Sequence, residues 1–134
     1  MVGIVLVSHG SLASGMLDGA RMIVGNLEGV AAVGLFESEA VEDLMGKIEA
    51  ALAQVDQGDG TLILVDAFGA SPFNASARLA LERKNIEVVT GMNLPMLLEL
   101  AVQREGRDLA GVAQLALETG RSSIRGLSGT LHPQ

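Results

Sequence analysis

The chain of 134 residues contains no cysteine, no tryptophan and no tyrosine. Without cysteine there is no disulfide, no thiolate nucleophile and no thiolate metal ligand. Three phenylalanines are its only aromatic side chains, so Val, Leu, Ile, Met and Ala must fill the interior. No apolar run approaches the length that spans a bilayer, and the N-terminus lacks the basic lead and cleavage site of a secretory signal. A cytoplasmic location is the simplest expectation. Cationic residues are scarce too: nine Lys and Arg stand against sixteen Asp and Glu, a net charge of −7. Apart from the pair Arg83-Lys84 they are scattered, so the cationic footprint of a nucleic-acid binder is missing. The acidic balance serves solubility and favours docking to a small basic protein. Phosphate-loop and dinucleotide fingerprints are absent, and Val7-Ser8-His9-Gly10-Ser11 is no nucleophile elbow. One usable histidine without cysteine makes a zinc site improbable.

Apolar residues nonetheless make up 49% of the chain, enough for one domain over residues 1–134. Strand and helix patterns alternate along it. Val2 to Ser8 is a continuous apolar run, the mark of a strand buried on both faces. Leu12 to Leu27 reads as a helix with Met16, Leu17, Ala20, Ile23, Val24 and Leu27 on one face. Val30 to Phe36 is a second strand. The clearest helix runs from Glu39 to Val55, with Val41, Leu44, Met45, Ile48, Leu52 and Val55 in one stripe. Gln57-Gly58-Asp59-Gly60 is a turn, and Thr61 to Val65 a third strand. Ser71 suits the N-cap of a helix with Pro72 at its first position, ending near Lys84. Asn85 makes a turn and Glu87 to Thr90 is a fourth strand. Helices over Leu94–Gln103 and Asp108–Thr119 follow, the second stopped by Gly120. Ser123 to Leu127 reads as a short fifth strand, and residues 128–134 as a fraying tail. The methionines Met16, Met22, Met45, Met92 and Met96 read as core filler.

This alternation implies a parallel sheet covered on both faces with right-handed crossovers. Four βα steps fit a flavodoxin-like half-sheet of strand order 2-1-3-4. The first and third strands are then neighbours at the topological switch point, where open α/β sheets place their chemistry. His9 closes the first apolar run and Asp66 closes the third, Leu62-Ile63-Leu64-Val65. The other histidine, His132, lies near the C-terminus with no packing role in the pattern. A lone histidine at a strand end is more often structural than functional, and Asp66 alone serves equally as a turn cap. Together at a switch point they are a stronger signal. A carboxylate can hold one imidazole N–H and leave the other nitrogen as a free nucleophile. Phe68-Gly69-Ala70-Ser71-Pro72-Phe73-Asn74 leads into a helix N-terminus whose backbone N–H groups could receive an anion such as a phosphoryl group. Gly69, Ala70 and Ser71 would bind it from that side, Gly10 and Ser11 from the other.

Four segments resemble the IIA domain of the mannose-type (mannose–fructose–sorbose) bacterial phosphotransferase system. They are Ile4-Val5-Leu6-Val7-Ser8-His9-Gly10, Leu64-Val65-Asp66-Ala67-Phe68-Gly69-Ala70-Ser71-Pro72-Phe73-Asn74, Gly91-Met92-Asn93-Leu94-Pro95-Met96-Leu97 and Glu118-Thr119-Gly120-Arg121. The resemblance covers essentially the whole chain, and its second segment is specific. It implies a phosphotransferase component in which His9 accepts a phosphoryl group on Nε2 from the carrier HPr and passes it to a IIB partner for carbohydrate uptake. It implies further that Asp66 holds the Nδ1 side, that Ser71 lies near the phosphoryl group, and that no metal or organic cofactor takes part. The membrane is met only through a permease complex. The family also implies a homodimer that exchanges the C-terminal strand, which Ile124 to Leu127 would form. A regulatory phospho-switch without sugar transport is the alternative with the same chemistry. The phosphotransferase subunit serving dihydroxyacetone kinase fits the 68–74 loop less well, and a non-catalytic binding module would not need His9.

Overall fold

The computed structural model describes residues 1–131. Strands β1 (Gly3–His9), β2 (Val30–Leu35), β3 (Thr61–Val65) and β4 (Ile86–Thr90) alternate with helices α1 (Leu12–Val24), α2 (Val41–Val55) and α3 (Ser71–Glu82). After β4 come α4 (Leu94–Gln103), α5 (Leu109–Ser122) and the short α6 (Leu127–Leu131). The sheet order is β2-β1-β3-β4, every pair parallel, as the strand–helix alternation requires.

Side chains alternate across the pleat, so each inner strand feeds two cores. Ile4, Leu6, Leu62 and Leu64 meet Leu17, Ala20, Leu97, Leu100 and Val112 from α1, α4 and α5. Val5, Val7, Ile63 and Val65 meet Leu44, Ile48, Leu52 and Leu79 from α2 and α3. Every one of these eight strand residues is fully buried. Each such burial contributes roughly 1.5–3 kcal/mol relative to exposure.

Several boundaries differ from the sequence pattern. Helix α1 stops at Val24, where Gly25 takes φ +82, so Leu27 is buried from a loop. Its buried stripe is Ala13, Leu17 and Ala20, which leaves Ile23 and Met22 exposed; Met22 is therefore not core filler. Val41 is likewise at the surface, because α2 begins only there. Helix α5 runs through Gly120 to Ser122. Gly120 lies inside the helix, where a Cβ would come 2.6 Å from the Met96 methyl, so it makes room for that side chain and does not end the helix. Helix α3 begins at Ser71 with Ala70 as its N-cap: Ala70 is extended and its C=O accepts the first helical N–H, from Asn74 at 2.9 Å. Ser71 is thus not the cap.

The expected fifth strand over Ser123–Leu127 does not form in this chain; the sheet has four strands among the described residues. A strand needs a ladder partner, and in a single chain this segment meets none. Residues 127–131 are helical where a fraying tail was expected. The remainder of that tail, with His132, lies outside the described residues. Among the described residues no helix is long and apolar enough to cross a membrane.

Candidate functional site

The strand order sets β1 beside β3, and β1 continues two residues beyond the last pair, Val7 with Val65. His9 is therefore carried past the end of β3, next to the residue that follows it. The Asp66 N–H donates to the Val7 carbonyl at 3.2 Å, which turns its side chain back toward β1. Oδ2 of Asp66 then accepts twice from one residue: the His9 backbone N–H at 2.9 Å and His9 Nδ1 at 2.7 Å. Oδ1 accepts the Ala67 N–H at 2.9 Å. The carboxylate is 10% exposed and the imidazole 54%. Burial pushes the Asp66 carboxyl up, but the His9 N–H, the imidazole and the Ala67 N–H outweigh it and hold the group below its ordinary value. The ionised carboxylate fixes the proton on Nδ1. His9 Nε2 has no hydrogen-bond partner among the described residues, which leaves it as the ring atom open to an incoming group.

The turn after His9 is fastened from two sides. Gly10 has φ +53, and its N–H donates to the Leu35 carbonyl of β2 at 2.8 Å. Ser8, fully buried, accepts the Ala13 N–H at 2.8 Å and donates to the His9 carbonyl at 3.0 Å. Ser8 thereby caps α1, since Ser11 at the N-cap position makes no capping bond. The sequence pattern carried Ser8 only as a strand residue; a serine at a fully buried strand position, five residues before the first buried helical residue, was the available signal.

The other expected site residues fall at the same carboxyl end of the sheet. Gly69 takes φ +82 in the loop after β3, and Ala70 and Ser71 open α3. The Ser71 hydroxyl forms no capping bond. Phe68, largely exposed, packs against Phe73 with ring centroids 4.7 Å apart and planes tilted by 40°. The two remaining segments singled out in the sequence form a single contact elsewhere. Asn93 caps α4 by accepting the Met96 N–H at 3.0 Å, and its Nδ2 donates to the Gly120 carbonyl at 3.1 Å and to Ser123 Oγ at 3.3 Å. They bind α4 to α5. Among the described residues no group of three His, Asp or Glu side chains is gathered to hold a metal ion.

Residues 3–117 match the family model described as PTS system fructose IIA component. The chain belongs to the mannose-type IIA family of the phosphotransferase system. It is 37% identical over 127 residues to the mannose-specific EIIAB component of the phosphotransferase system of Escherichia coli, an alignment that covers 94% of this chain and 39% of that protein. The chain thus spans well under half the length of that relative. To the fructose-specific EIIA component of Bacillus subtilis it is 32% identical over 105 residues, 78% of this chain and 72% of the relative. Among solved structures, the mannose/sorbose-specific IIA subunit from Enterococcus faecalis superposes with a TM-score of 0.86 at 28% identity, covering 94% of each chain. The matched IIA region contains His9, Asp66 and Ser71, and it takes in β1 to β4.

Proposed function

We infer that the chain is a phosphohistidine carrier of a sugar phosphotransferase system: His9 accepts a phosphoryl group from HPr and delivers it to a IIB component. The observation that carries this is the 2.7 Å bond from His9 Nδ1 to Asp66, in a half-exposed imidazole whose other nitrogen has no partner among the described residues. In the forward step the Nε2 lone pair attacks phosphorus and the P–N bond to the donor histidine breaks. Positive charge then develops on the His9 ring, whose Nδ1 proton is already shared with the Asp66 carboxylate. In the second step the Nε2–P bond breaks as a nucleophile of the IIB partner takes the group. Little covalent work falls to the protein, so positioning and charge stabilisation suffice. The side-chain-uncapped start of α3, the Ser71 hydroxyl, the Gly69–Ala70 backbone and the Ser11 N–H support anion binding beside Nε2; the Gly10 N–H is already bonded to the Leu35 carbonyl.

Both partners must reach one exposed atom, so the rim must serve as a docking surface. Leu12, Phe36 and Phe68 are all exposed there, an apolar set that suits transient protein contact. The exposed Ile124 and Leu127 and the outer edge of β4, unpaired among the described residues, support a homodimer in which the C-terminal segment is exchanged. Incubation with phosphoenolpyruvate, enzyme I and HPr, read by intact mass, tests the carrier reading. Gain of one acid-labile phosphoryl group by the wild type and none by His9→Ala is expected. No gain, with HPr itself phosphorylated, rejects it in favour of a non-catalytic binding module.

A further inference from the structure

Gly34 pairs in register with Ser8, one residue before the phosphoacceptor, and it has no room for a side chain. A Cβ built on it falls 2.2 Å from the Gly10 carbonyl oxygen and 3.0 and 3.1 Å from Cε2 and Cζ of Phe36. The Phe36 ring can swing aside. Gly10 O is backbone, and it can retreat only if the His9–Gly10–Ser11 turn moves by about an ångström. That turn cannot drift freely, because the Gly10 N–H is bonded to Leu35, the neighbour of Gly34. From the opposite side Lys47 Nζ donates to the Gly34 carbonyl at 3.0 Å and to Glu39 Oε1 at 2.7 Å. The ammonium stands 5.1 Å from the Phe36 ring centroid, and Glu39 accepts the Phe36 N–H at 2.8 Å. The end of β2 is thus clamped in place, and its bare surface faces the peptide that follows His9.

We propose that Gly34 is a positioning residue for phosphoryl transfer: it is the seat on which the Gly10 carbonyl rests, and that seat sets the orientation of the His9 ring against Asp66. The proposal rests on His9 being the acceptor. Adding one methyl group at position 34 tilts the peptide after His9 and loosens the Nδ1 contact with Asp66. An ångström of misplacement at a reacting atom lowers rate by up to about a hundredfold. The same methyl group also pushes aside the Phe36 ring of the exposed rim, so the loss of positioning is read at saturating donor and in the ring tautomer.

The test compares wild type, Gly34→Ala and Gly46→Ala. Gly46 lies on the exposed face of α2 with nothing within 4 Å of its built Cβ, and controls for the helix and sheet scaffold. The tautomer of His9 is read from its ring ¹⁵N shifts, assigned by comparison with His9→Ala, and transfer is followed with phosphorylated HPr. In Gly34→Ala the ring should lose its single Nδ1–H tautomer, and kcat at saturating HPr should fall about 10- to 100-fold; a change in KM reports the displaced Phe36 ring. Gly46→Ala should match wild type in both. A wild-type tautomer in folded Gly34→Ala overturns the proposal, whatever the rate. Should Gly34→Ala not fold, Lys47→Met releases the same strand end without adding an atom, and an unchanged His9 tautomer there is equally fatal. If the wild type accepts no phosphoryl group, the carrier reading falls, and the tautomer comparison still decides whether Gly34 orients His9.

Discussion

Asp66 uses one oxygen to hold both the backbone and the ring of His9, and this double grip makes it more than a charge partner. Asp66→Ala frees the ring to change tautomer and leaves the nascent imidazolium without its counter-charge. Phosphoryl acceptance should slow about a hundredfold or more, while urea unfolding changes by about 1–3 kcal/mol; transfer at the wild-type rate would remove Asp66 from the mechanism. The carboxyl is held below its ordinary value in the fold, so its stabilisation is complete above the unfolded value, near pH 4, and drains away as pH falls through the folded one. Unfolding midpoints of wild type should therefore decline from about pH 4 downward, and Asp66→Asn should flatten that decline. At Ser8 the hydroxyl both caps α1 and holds the His9 carbonyl. Ser8→Ala strands a buried Ala13 N–H and should lower stability by about 1–2 kcal/mol in denaturant melts.

Between elements, the contact of α4 with α5 shows how a short polar side chain and a missing one act together. Asn93 bonds to Met96 in its own helix and to Gly120 and Ser123 across the gap, and Gly120 admits the Met96 methyl. Asn93→Ala should cost about 1–2 kcal/mol and Gly120→Val about 1–3 kcal/mol by overpacking, both read from urea midpoints, with phosphoryl acceptance by His9 retained. Gly120 also marks where sequence reading stops. Glycine usually ends helices, and no local signal separates a stop from a close approach by a residue 24 positions earlier. The strand order and the meeting of His9 with Asp66 were legible, because continuous apolar runs that end in a polar residue mark core strands and their carboxyl ends. Gly34 was not, since its meaning depends on the path of the Gly10 turn over β2. The apolar pattern of α1 is wider than its buried face for a similar reason: burial there follows Ala13, Leu17 and Ala20, and Ile23 falls just outside. The Ser123–Leu127 segment carries only Ile124 and Leu127 as apolar residues, and its pattern cannot supply the ladder partner a strand needs.

Over the whole molecule, the proposed docking of HPr would draw on net charge and on rim chemistry in different ways. Removing residues 123–134 should convert a dimer to a monomer in sedimentation velocity if the C-terminal segment is exchanged; a monomeric full-length chain would end that reading. The charge of −7 acts at long range, whereas Leu12, Phe36 and Phe68 act only on contact. A basic phosphoryl donor should be steered in, and steering is screened as the Debye length shrinks from about 10 Å at 0.1 M salt to about 3 Å at 1 M. If the docking face of phosphorylated HPr is basic, its association rate, followed by rapid-quench transfer at low donor concentration, should therefore fall about tenfold or more over that range. Transfer at saturating donor should hardly change, because the Asp66–His9 pair is set by short hydrogen bonds inside the site. Phe68→Ser should do the reverse, raising KM at every salt concentration and leaving the salt slope as it was. A salt-independent association rate would mean that the acidic surface plays no part in recognition and that docking rests on the apolar rim alone.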